Sequence, residues 1–270
     1  MAVGIATETV HGRKFHTRAV RDGLAVAGRN LIAYWRIPQL LVFSTIQPVI
    51  FVLLFTYVFG GAVSGSLPAG MPYVNYLMPG IFVQTTVFGA IAAAIGLATD
   101  LQSGLLERFR SLPMARSAVL TGRTTADLTR NTFVAALMAA VGFLVGFKVG
   151  TNVWGFIGGM LLVLLFGYCM SWVFATVGLW VKDPETAQAA AFPVMAPLVF
   201  ASSCFVPVTS MPSWLQPWAE HQPVSVTATA VRALMQGGPT LHWVLGCLAW
   251  CVAILAVFAP LSVRLYRRAV

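Results

Sequence analysis

Long runs almost free of charge limit what this chain can become. Residues 39–62, "QLLVFSTIQPVIFVLLFTYVFGGA", contain no Asp, Glu, Lys or Arg. Similar runs occupy 77–98, 128–147, 153–181, 186–208 and 241–263. A run of about 20 apolar residues is long enough to cross a bilayer core. The whole chain is 58% hydrophobic and 9% charged, where a soluble domain carries about 25% charged residues. A soluble fold of 270 residues has too much surface to hide that much apolar area. The expected fold is therefore all-α and integral to the membrane, with six transmembrane helices and no room for a second soluble domain.

Charge sets the expected orientation. Fourteen of the 17 basic residues fall in 1–36, 99–127, 182–185 and the tail after 263. Connections 63–76, 147–152 and 209–239 hold only Lys148 and Arg232, while Arg130 lies at the start of the third run. Basic residues collect on the cytoplasmic side, so both termini are expected there, in the plasma (inner) membrane. The net charge of +9 then meets anionic lipid. No nucleic-acid partner is expected, because no soluble basic face interleaved with aromatics is present.

The chain divides into a cytoplasmic N-terminus with an interfacial helix, 1–38, and a six-span domain, 39–270. In 17–36, Leu24, Ala27, Leu31 and Tyr34 repeat at helical spacing, with Arg18, Arg21, Arg29 and Arg36 largely off that stripe. This predicts a helix lying in the membrane surface. The first 36 residues have no early apolar core of a secretory signal, so the first span is expected to direct insertion. Segment 209–239, "SMPSWLQPWAEHQPVSVTATAVRALMQGGP" from Ser210 on, is outside by this count yet apolar. Two short re-entrant helices are expected in it, at 212–220 and from an N-cap at Ser225 to Gly237-Gly238. Trp214 and Trp218 suit the headgroup layer.

The usual signs of catalysis are missing. No GxxxxGK[ST] phosphate loop occurs. His11, His16, His221 and His242 are scattered. Cys169, Cys204, Cys247 and Cys251 show no zinc spacing and read as buried small hydrophobes. No metal or cofactor is expected on this chain. An ion-coupled carrier usually places carboxylates inside its spans, and here they are essentially absent. What remains in the spans is amides and hydroxyls. These serve either as interhelical bonds or as walls of a path for amphipathic cargo, formed by Phe43, Gln47, Phe51, Phe82, Gln84, Phe88 and Met195.

One basic stretch interrupts the oil: "SGLLERFRSLPMARSAVLTGR", 103–123. Leu105, Phe109 and Leu112 share a helix face, and Glu107 precedes Arg110 by three, a favourable pair. Pro113 ends the helix. The residues alone leave two partners equally open, lipid headgroups and a cytoplasmic protein.

"YVNYLMPGIFVQ" (73–84), "GLLERFRSLPMARSAVLTGR" (104–123) and "PVTSMPSWLQPWAEHQPVSVTATAVRALMQGGP" (207–239) resemble the ABC-2 type permeases, and within them the daunorubicin-resistance branch. The resemblance implies a membrane subunit of an ATP-binding-cassette exporter, moving a hydrophobic or amphipathic drug or lipid outward. It implies a dimer with a second copy or a paralogue, and a separate ATPase that carries the ATP and Mg. By the same resemblance Leu105, Leu106, Glu107, Arg108, Phe109, Arg110, Leu112 and Pro113 form the helix that docks on that ATPase. Pro193, Pro197, Trp214 and Trp218 match the outer gate region. A polysaccharide-type exporter of the same fold and an ion-coupled carrier are the alternatives.

Overall fold

Where water is scarce, a backbone must bond to itself, and helices do this within one segment. The computed structural model describes residues 38–67, 70–103 and 116–269, and all regular structure among them is helical. The interfacial helix expected over 17–36 lies outside the described residues. So do residues 104–115, which hold Leu105 to Pro113.

Helix α1 (Pro38–Leu53) runs on through a π-helical turn, Leu54–Phe59, into α2 (Gly60–Val63). Helix α3 covers Tyr73–Gln102, α4 Arg116–Val145, α5 Val153–Val181 and α6 Pro184–Phe200. Two shorter helices follow, α7 (Gln216–His221) and α8 (Pro223–Gln236), before α9 (Thr240–Ala269). Five helical stretches among the described residues are long and apolar enough to cross a membrane: Ile46–Val63, Tyr73–Gln102, Asp127–Val145, Val153–Val181 and Thr240–Arg268.

Helices α3 and α5 form the centre, with α4, α6, α8 and α9 packed on them and α1 at the edge against α3 and α4. Leu77, Phe82, Phe166 and Phe174 are fully buried there. A smaller cluster, Leu97, Trp172, Ala175, Leu179 and Tyr266, ties α3, α5 and α9 at the opposite end. The central pair touches closely at Gly178, where an added Cβ would fall on the Ala94 carbonyl of α3. Small residues at such points let helix backbones approach.

The ends differ from the sequence reading in instructive ways. Helix α3 begins at Tyr73 rather than 77, because its polar first turn is bonded. Tyr73 Oη donates to the Phe205 carbonyl at 2.8 Å, and Asn75 Oδ1 accepts the Lys148 N–H at 2.9 Å. Helix α4 starts at Arg116, twelve residues before the expected 128, so part of the basic stretch is helical. Helix α5 matches 153–181, capped by Asn152, which accepts from Gly155 N at 2.8 Å.

Helix α6 departs most from expectation. It was expected over 186–208 and broken at Pro193 and Pro197; instead both prolines lie inside a continuous 17-residue helix that stops at Phe200. Both also lie on its exposed side. The missing N–H groups cost bonds, and the helix ends one turn beyond Pro197. At 1.5 Å per residue this is about 25 Å, short of a hydrocarbon core of about 30 Å. The irregular backbone that follows is covered by protein: Ser202, Ser203, Cys204 and Phe205 are all buried.

Helix α7 begins at Gln216, not 212. Ser225 is not the cap of α8. Gln222 is, its side chain accepting from Val224 N at 3.2 Å. Val224, Ala228, Val231 and Met235 are fully buried, so this helix is part of the core.

Candidate functional site

Halfway along α3 its residues turn polar on one side. Thr85 and Thr86 satisfy their own hydroxyls on the preceding turn, Thr85 Oγ1 to the Ile81 carbonyl at 2.7 Å and Thr86 Oγ1 to the Val83 carbonyl at 2.8 Å. Gln84 cannot do this. It is 1% exposed, and its Oε1 has no hydrogen-bond partner. One turn later, Gly89 lets α4 come close. A Cβ there would strike Asn131 Oδ1 and lie 3.2 Å from Arg130 Nη2. Through this gap the Arg130 guanidinium donates to the Gly89 carbonyl, and at 3.3 Å to Asn131 Oδ1. Asn131 is 4% exposed, and its Nδ2 is also without a partner.

These side chains enclose a cavity of about 180 Å³ between α1, α3 and α4, lined by Gln47, Pro48, Gln84, Thr85, Phe88, Gly89, Arg130, Asn131 and Val134. Gln47 and Phe88 also line a larger groove of about 570 Å³ between α1, α3 and α6. Its walls are mostly apolar, with Ile91, Ile95, Phe192 and Met195 alongside Gln188. The two spaces therefore adjoin, one polar and one greasy.

Of the seven expected path residues, Gln47, Gln84, Phe88 and Met195 come together around these spaces. Phe82 lines neither. It is fully buried and meets Phe147 edge-on at 6.2 Å. Phe51 sits in an aromatic cluster with Phe55, Phe200 and Phe205. The side chain of Phe43 lies outside the described residues. In the sequence Arg130 counts only as a charge at the start of the third run, and Asn131 is one more amide among the polar groups of the spans. The two meet α3 at Gly89 and share the cavity wall with Gln84, and no periodicity reports such a contact.

At the end of the bundle that holds Lys148, a second polar cluster fastens the turn after α6. Arg232 of α8 donates from Nε to the Tyr76 carbonyl at 3.1 Å and from Nη2 to the Ser203 carbonyl at 2.8 Å. Its guanidinium also lies 3.7 Å from the Tyr76 ring centroid. Ser225 Oγ accepts the Ser203 N–H at 2.9 Å, and Gln222 Nε2 donates to the Leu198 carbonyl at 2.9 Å. Tyr73, Tyr76 and Arg232 were not among the expected gate residues. Of those that were, Pro193 and Pro197 face outward on α6, and Trp214 and Trp218 are 77% and 42% exposed.

At the opposite end, Asp183 caps α6. Its carboxylate accepts from Thr186 Oγ1 at 2.6 Å and Thr186 N at 2.8 Å. The hydroxyl bond first, and then the amide bond, hold its pKa below the ordinary carboxylate value. The four cysteines are free and buried, and no three His, Cys, Asp or Glu side chains converge on a metal position among the described residues.

The family model for ABC-2 type transporters matches residues 23–235, which takes in every part of both polar clusters. The chain belongs to the ABC-2 type transporter family. Relatives within that family agree. A daunorubicin resistance ABC transporter permease of Streptomyces coeruleorubidus is 36% identical over 257 residues, 94% of this chain and 89% of its own length. A probable doxorubicin resistance ABC transporter permease of Mycobacterium tuberculosis is 28% identical over 98% of this chain and 90% of its own. A putative transport permease of Pyropia yezoensis is 26% identical over 80% of this chain and 74% of its own. With its apolar helices, this ABC-2 family member is a multi-pass membrane protein.

Proposed function

We propose that this chain is the membrane-spanning subunit of an exporter that moves a hydrophobic or amphipathic drug or lipid out across the plasma membrane. The ATP is hydrolysed by a separate subunit. The observation that carries this reading is the 36% identity, over 94% of the chain, to a daunorubicin resistance permease. The absence of any Walker-type phosphate loop from the sequence is consistent with it.

In this reading α6, with the covered turn after it, is also a crossing, the fifth of six in chain order, and both termini are cytoplasmic. Helices α7 and α8 then cap the outer end, α7 at headgroup depth. Residues 103–113 dock on the ATPase, with Glu107 and Arg108 at the contact. The apolar sides that α1 and α6 leave uncovered, including Ile50 at 54% and Phe192 at 57% exposure, suit a seam with a second permease subunit. ATP-driven closure of the partner pulls on 103–113. Helices α3 and α4, which flank it, carry that motion to the polar cavity between them. Cargo lodged beside Phe88 and Met195 leaves through the outer end, where Arg232 holds the turn after α6.

The test is ATP turnover by the complex reconstituted with its ATPase. Glu107→Ala and Arg108→Ala are expected to abolish cargo stimulation while leaving basal hydrolysis by the ATPase intact. Unchanged cargo stimulation in both variants rejects the docking assignment.

A further inference from the structure

The polar cavity contains an unmet chemical demand. Gln84 and Asn131 are among the most buried polar side chains of the described residues, and each keeps one amide atom without a partner. An unsatisfied buried polar group costs about 1–3 kcal/mol, so native structures leave few of them unexplained. The two are complementary in kind. Asn131 Oδ1 is committed to Arg130 Nη2, which leaves Nδ2 as a donor. Gln84 Oε1 is an acceptor. Thr85 adds no demand, since its hydroxyl is bonded to Ile81.

We infer that the cavity is the subsite for a hydroxyl group of a neutral amphipathic cargo, whose apolar body lies in the adjoining groove. Among groups that stay neutral at pH 7, a hydroxyl is the strong one that both donates and accepts from one atom. Once the two amides, whose free atoms are almost fully covered, turn toward the cavity, it gives its proton to Gln84 Oε1 and takes one from Asn131 Nδ2. It also suits either orientation of the Gln84 amide, because it bonds equally well to an oxygen or an N–H there. The Arg130 guanidinium on the wall disfavours a cationic head. Size agrees. A cavity of about 180 Å³ has the room of a few waters at about 30 Å³ each, enough for a small polar head and too little for a whole lipophile. The groove of about 570 Å³, which shares Gln47 and Phe88 with it, accommodates the rest.

This inference rests on the export reading for the identity of the occupant as cargo, but its test needs no ATP. The full chain in lipid nanodiscs is titrated with 1-(hydroxymethyl)pyrene and with 1-methylpyrene, which differ by one hydroxyl. Each affinity is corrected for partition into protein-free nanodiscs. The wild type is expected to favour the alcohol by about tenfold or more, since a site built to bond a hydroxyl rejects the analogue lacking it. Gln84→Leu and Asn131→Leu should each reduce that preference to about twofold or less, chiefly by loss of affinity for the alcohol. A cooperative thermal melt together with saturable 1-methylpyrene binding shows that both variants are folded. Gln84→Leu should melt no lower than wild type, because it deletes an unpartnered group. Equal binding of the two pyrenes by wild type, no saturable binding of either, or a preference that survives both substitutions overturns the inference. ATP-dependent export without a hydroxyl preference defeats this subsite alone. A hydroxyl preference without export defeats the transport reading alone.

Discussion

Arg232 shows how much one side chain can hold. It bonds two carbonyls, of Tyr76 and Ser203, and lies against the Tyr76 ring. Arg232→Ala strips two buried acceptors of a charged donor, so it should cost about 2–3 kcal/mol, by the usual worth of hydrogen bonds to charged groups. Thermal unfolding in detergent measures this, and Arg232→Lys should recover only part of it, since an ammonium lacks the planar fork. Asp183 offers the pH-dependent counterpart. Its pKa is held below 3.8 by the Thr186 hydroxyl and amide. The unfolded chain therefore binds the proton more readily than the folded one. The stabilisation is present above the ordinary value and is lost as pH falls through the lower folded one. Melting temperature followed down from pH 5 should show this acid-side loss. Asp183→Asn should flatten this contribution while keeping a capping oxygen, and Asp183→Ala should lose the cap at every pH.

At the scale of elements, the approach of α3 and α4 at Gly89 sets the size of the polar cavity. Gly89→Ala pushes a methyl against Asn131 Oδ1. Overpacking of this kind should cost about 1–3 kcal/mol, weaken the Arg130 contact with the Gly89 carbonyl and lower affinity for 1-(hydroxymethyl)pyrene more than for 1-methylpyrene. The helices themselves were legible because each had to be apolar along its length; α5 was read to the residue. The end of α6 was not. An apolar composition suits both a lipid-facing helix and a turn covered by protein, and the residues that cover the 201–206 turn, Tyr73, Tyr76 and Arg232, lie far away in sequence. The candidate site was half legible for the same reason. Gln47 and Gln84 stood out as amides in oil, whereas Asn131 acquires its meaning only when α4 is laid against α3. The basic stretch that first suggested a docking element was read from spacing and resemblance, and its residues 104–115 lie outside the described structure.

At the scale of the whole molecule, the export reading makes a claim about sides. Ser210, in the turn before α7, and Glu185, in the first turn of α6, are both exposed, Glu185 at one end of α6 and Ser210 past the other. The four native cysteines are buried, so single-cysteine probes need little background removal. Ser210→Cys should react with a membrane-impermeant maleimide in intact cells, and Glu185→Cys only after permeabilisation. Reaction of both from the same side would remove α6 as a crossing. The function proposed for this family member is export of a lipophile at the expense of ATP split by another subunit. Inside-out vesicles that hold this chain and its ATPase, given a fluorescent amphiphile such as 1-(hydroxymethyl)pyrene in the outer medium, provide the test. ATP-dependent uptake is expected that requires both chains and disappears with Glu107→Ala or Arg108→Ala. Uptake driven by an ion gradient without ATP, or by this chain without the ATPase, would contradict it.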